Sequence, residues 1–137
     1  MTKQQIEKLI LSICDKHKVF VECRSEFQKD YGECYPDLDK ILLGTKYSSS
    51  KIKFAVFLHE LGHILTIRRN GARYLAASIF QEESAVWTLA QELHFKYTQH
   101  PFSKAQANFM LRCLDTYSQY HYSFVKKFNK DCKKVKV

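Results

Sequence analysis

The sequence predicts an α+β fold, mostly helical, formed by one domain. Three observations carry this. Only 4 Gly and 2 Pro occur in 137 residues, too little punctuation for the many short strands of a sandwich or barrel. Long segments repeat their apolar residues at helical spacing. Two short stretches rich in β-branched, aromatic and leucine residues lie between the first such segment and the others. With 45% hydrophobic residues the chain can bury one core and is too apolar for disorder.

The elements follow in order. Ile6, Leu9, Ile10 and Ile13 place a helix over 3–17. Lys18 to Arg24 (KVFVECR) alternates and predicts a strand. Residues 30–38 hold Gly32, Pro36 and Asp37, which is turn chemistry. Lys40 to Leu43, closed by Gly44, predicts a second short strand, so the sheet has two or three strands. The serines at 48–50 can cap a helix over Ile52 to Ile67, which Asn70-Gly71 would stop. A further helix runs from Ile79 to Tyr97, ahead of Pro101. The last begins near Ser103, an N-cap residue, and residues 103–137 form a basic helix and tail.

Several classes are disfavoured. No apolar stretch approaches the ~20 residues that span a bilayer, and the first residues lack a small-residue cleavage site. A cytoplasmic protein with no membrane contact is expected. The cysteines are Cys14, Cys23, Cys34, Cys113 and Cys132. Their odd number and the lack of a CxxC pair support neither a disulfide framework nor a four-cysteine zinc site. Cys14 and His17 form a CxxH pair with no second pair nearby. The formal charge is +8, much of it from Lys126, Lys127, Lys130, Lys133, Lys134 and Lys136 against Asp131. Such a tail suits nucleic acid or an acidic partner. No nucleic-acid motif accompanies it, so a solvated helix end is the favoured reading.

The chemistry lies in His59-Glu60-Leu61-Gly62-His63. Residues four apart share a helix face, so two imidazoles can bind one zinc ion. The glutamate after the first histidine then sits beside them, placed to act as general base on a water. Phe54 to Leu58 and Ile64-Leu65 make the flanks apolar. Burying histidines and a glutamate there is costly without a partner, which a metal supplies. His94 stands eleven residues after Glu83, ~16 Å along a helix, too far to share the ion. His17, His100 and His121 read as surface or packing residues. The aromatics Phe102, Phe109, Tyr117, Tyr120, Tyr122, Phe124 and Phe128 read as core and partner surface rather than a base-stacking platform.

A catalytic zinc usually has three protein ligands. Thr66 and Arg69 stand where a metzincin carries its Gly and third His, so that class is excluded. The next acidic residues are Glu82 and Glu83, on the following helix.

HELGH with a compact Glu-bearing helix resembles the ImmA/IrrE-type metallopeptidases and related small proteins of phages and mobile elements, over roughly residues 5–95. The resemblance implies a compact zincin-like domain, a gluzincin site with one Zn2+, and hydrolysis of a protein or peptide substrate. Members often show E-x-E-A-N-x-F-A at the third ligand. Matching F-A to Leu89-Ala90 puts the first glutamate at Glu83, with Glu82 the alternative. The second glutamate then falls on Ala85 and the asparagine on Trp87, and the usual L-L-M-P is absent. In similar proteases the strand before the HExxH helix borders the cleft, which implies substrate pairing along Ile41, Leu42 and Leu43. Tyr74 and Tyr97 are candidates for the oxyanion donor. The rival class is a non-catalytic zinc-containing module that docks a protein or nucleic acid. A SprT-like protease acting on DNA-bound protein would need a third ligand histidine, and none is placed for it.

Overall fold

The computed structural model describes residues 1–70 and 79–131, with side chains as far as Tyr117. The order is α1 (Lys3–His17), β1 (Phe20–Arg24), β2 (Gly32–Tyr35), a 3-10 turn (Pro36–Leu38), β3 (Lys40–Gly44), α2 (Ser50–Asn70), α3 (Ile79–Thr98) and α4 (Lys104–Asp131). This is an α+β fold with a small mixed sheet, as the composition predicts.

Helices α1, α2 and α4 start where the sequence offers a cap. Thr2 and Gln5 form a capping box on α1, which buries Ile6, Ile10 and Ile13. Ser49 Oγ accepts from the Ile52 N–H at 3.2 Å and caps α2. Ser103 and Gln106 form a second box on α4, with side-chain to backbone distances of 2.8 and 3.2 Å. Gln106 is 1% exposed, and its Nε2 donates to the Lys51 carbonyl at 2.9 Å. That bond ties the start of α4 to the first turn of α2. β1 begins two residues later than the alternation suggests. Lys18 takes a left-handed conformation (φ 56°) that closes α1, and the Val19 N–H bonds the Cys14 carbonyl.

The sheet order is β1-β3-β2, with β3 parallel to β1 and antiparallel to β2. Two expectations are corrected here. Residues 30–38 are not turn alone: Gly32 to Tyr35 form β2. Gly32 marks a close approach, because a Cβ there would lie 2.7 Å from Val56 Cγ1 on α2. Pro36 opens the 3-10 turn just beyond the strand. The second correction concerns Ile41, Leu42 and Leu43. They lie on the central strand, hydrogen-bonded on both sides, with exposures of 0%, 4% and 0%. A substrate finds no free edge there.

α2 is the hub. Its buried residues, Phe54, Phe57, Leu58, Leu61 and Ile64 among them, meet α1, the sheet, α3 and α4. A helix apolar on most sides belongs in the middle of a core. α3 crosses it at Gly62, where a Cβ would stand 3.0 Å from Val86 Cγ1 and 3.2 Å from the Val86 carbonyl oxygen. Among the described residues, no helix is long and apolar enough to cross a membrane.

Candidate metal centre

The helical repeat puts His59 and His63 on one face of α2, their ring centroids 4.7 Å apart and nearly perpendicular. The close passage at Gly62 brings the first turns of α3 against that face. There Glu83 reaches both histidines: Oε2 lies 2.6 Å from His59 Nε2, and Oε1 lies 3.2 Å from His63 Nε2. Glu60 approaches His59 from the other side, with Oε2 3.1 Å from Nδ1. His59, Glu60 and His63 each offer a ligand atom, all within 4.8 Å of one another, a group that could hold a metal ion.

Burial shapes the charges. Glu60 and Glu83 are each 7% exposed. Burial by itself would raise the Glu83 pKa, but the bonds from His59 and His63 outweigh it and lower the value to about 2. Burial would lower that of His59, but its bonds to Glu60 and Glu83 outweigh this and raise it to about 9. Both ring nitrogens of His59 thus meet carboxylate oxygen inside an apolar helix, which offsets the cost of burying the ring. The donor set also fits a divalent ion. Two imidazoles and carboxylate oxygen suit zinc, whose tetrahedral ligands lie about 3.3 Å apart at zinc–ligand bond lengths of ~2.0–2.2 Å. The 3.2 Å separation of Glu83 from His63 is already near that spacing. The 2.6 Å separation from His59 is a hydrogen-bond length.

No family profile, curated protein or solved structure matches the chain.

The cluster forms the floor of an open cleft of about 650 Å³, lined also by Tyr31, Gly32, Glu33, Cys34, Pro36, Asp37, Ile67 and Tyr117. One wall is therefore β2 and the 3-10 turn, and Tyr117 comes from α4. Among the described residues β2 pairs only with β3, and no strand pairs with its outer edge. Tyr31 donates to Glu33 at 2.8 Å, a bond that, with burial, raises the Tyr31 pKa to about 12. Burial first, and then the charges of Glu83 and Glu60, raise that of Tyr117 to about 12, so its hydroxyl keeps its proton. The Cys34 thiol is raised by burial and then by Glu60, and stays protonated.

Other expected site residues fall differently. Glu83 is buried on one face of α3 with Val86, Trp87 and Ala90, and it meets both histidines. Tyr97 is not at the cleft. It lies fourteen residues beyond Glu83, ~21 Å along the helix, and its hydroxyl bonds His17 Nε2 at 2.5 Å. Tyr74 lies outside the described residues. His94 is buried far from the cluster, its Nδ1 donating to the His100 carbonyl at 2.7 Å. Tyr117 and Tyr31 are the hydroxyls that sequence reasoning missed. A signal for Tyr117 was present. Gln106, Phe109, Cys113 and Tyr117 recur at helical spacing, so Tyr117 ends the inward stripe of α4.

Proposed function

We propose that this protein is a zinc metallopeptidase of gluzincin type, akin to the ImmA/IrrE enzymes, with His59, His63 and Glu83 as ligands and Glu60 as general base. One observation carries the reading: a single carboxylate from a second helix bonds both histidines of the HExxH turn. Two carboxylates compete for the third ligand position. Glu83 is the better choice, because it meets the Nε2 atoms of both rings, whereas Glu60 meets only Nδ1 of His59. That division leaves Glu60 for proton transfer.

When bound, zinc would supply a Lewis acid that brings the pKa of a water to about 7 and polarises a carbonyl. Glu60 then accepts the proton of the attacking water and delivers it to the departing amine. Tyr117, a protonated hydroxyl on the cleft wall, is the donor best placed to meet the developing oxyanion. The free edge of β2 offers main-chain groups to an extended peptide, which makes a protein or peptide segment the substrate.

Elemental analysis of the chain purified without added metal tests this reading. One zinc per chain is expected, lost in His59→Ala and in His63→Ala. Full zinc in both variants would end the proposal.

A further inference from the structure

We infer that Trp87 is the positioning residue for the His59 imidazole, holding the ring by stacking; this rests on the metal centre proposed above. The two ring centroids are 4.3 Å apart, and the planes are 18° from parallel. Trp87 is itself held. It is 2% exposed, and Phe102 and Phe109 meet it edge-on at 6.3 and 6.2 Å. A fixed indole plane therefore lies flat on the imidazole, and stacked aromatic pairs of this kind add stability beyond the area they bury.

The need for such a device follows from His59's other contacts. A metal-binding histidine is usually oriented by a hydrogen bond from its second ring nitrogen to a carboxylate, carbonyl or water. Among the described residues the partner of His59 Nδ1 is Glu60, at 3.1 Å. The proposed reaction requires Glu60 to take up and release a proton, so it is a poor fixed anchor. The stack is independent of Glu60. Among the described residues the buried indole N–H has no hydrogen-bond partner. Trp87 therefore acts through its face and not through its donor.

Zinc affinity, measured by competition with a chromophoric chelator, separates this role from simple core filling. Trp87→Phe keeps a flat ring; Trp87→Leu keeps apolar bulk without one. Metal-free thermal unfolding of both variants records any loss of packing. We expect Trp87→Phe to bind zinc nearly as the wild type does, and Trp87→Leu to bind roughly 10–100-fold more weakly, the range for lost outer support of a ligand. Equal affinity in the two variants overturns the inference and leaves the metal centre standing. The wild-type chain gives a second readout that needs no variant. Trp87 is the single tryptophan, so its emission must change with added zinc and level off at one equivalent. Zinc uptake with unchanged emission also overturns the inference. Failure of the wild type to take up zinc overturns the metal centre and this inference together.

Discussion

Glu82 and Glu83 are neighbours in sequence, yet about 100° of helix rotation separates them. Glu83 shares the buried face with Val86, Trp87 and Ala90 and meets His59 and His63. Glu83→Ala should therefore abolish stoichiometric zinc binding, and Glu82→Ala should keep it. Equilibrium dialysis of both variants checks this; the opposite pattern would put the ligand one residue earlier. At this scale much was legible from spacing alone. The four-residue interval of His59 and His63, and the face shared by Glu83 and Trp87, are consequences of helical geometry. Tyr117 was harder to identify. Its place at the cleft depends on how α4 crosses α2, which a Gln106 bond to the Lys51 carbonyl fixes and no local pattern encodes.

Among the elements, the passage of α3 across α2 at Gly62 makes the site. Gly62→Ala would by propensity strengthen α2 by up to about 1 kcal/mol. The added Cβ, however, meets Val86 Cγ1 at 3.0 Å and backbone oxygen at 3.2 Å. The Val86 backbone must then give by a few tenths of an ångström, a shift on the helix that carries Glu83. Weaker zinc binding is expected, with an overpacking cost of roughly 1–3 kcal/mol in chemical unfolding. Unchanged affinity and stability would show that the crossing has slack. The long helices were legible because periodic apolar residues and caps at Ser49 and Ser103 agree. The sheet was less so. Gly32 and Pro36 carry turn signals, yet the glycine serves a close approach and the proline follows the strand. Strand order is a tertiary outcome as well. Nothing local to Ile41–Leu43 says that β1 and β2 flank it, which is why a free edge was expected on β3, whereas among the described residues β3 is paired on both sides and β2 on one.

Across the whole molecule, the candidate metal cluster lines one cleft, and much of the excess charge falls late in the sequence. Among the described residues, the cleft lining is acidic, aromatic and histidine-bearing, with no lysine or arginine. Six lysines face Asp131 between residues 126 and 137. The described α4 residues that pack on the core or line the cleft, from Gln106 to Tyr117, all precede that tail. A chain ending at residue 125 should keep one zinc and its peptidase activity, as metal analysis and cleavage assays would record. Loss of zinc on truncation would make the tail part of the fold.

On the proposed mechanism Glu60 moves protons and does not hold metal. Glu60→Gln preserves size and shape but cannot accept a proton at neutral pH. The most direct test compares wild type and Glu60→Gln in a proteome-wide cleavage screen, with zinc measured in both preparations. One zinc per chain is expected in each, with cleavage lower by about 10²–10⁴ in the variant, the usual contribution of general acid–base catalysis. Cleavage by Glu60→Gln at the wild-type rate, or loss of its zinc, would contradict the mechanism.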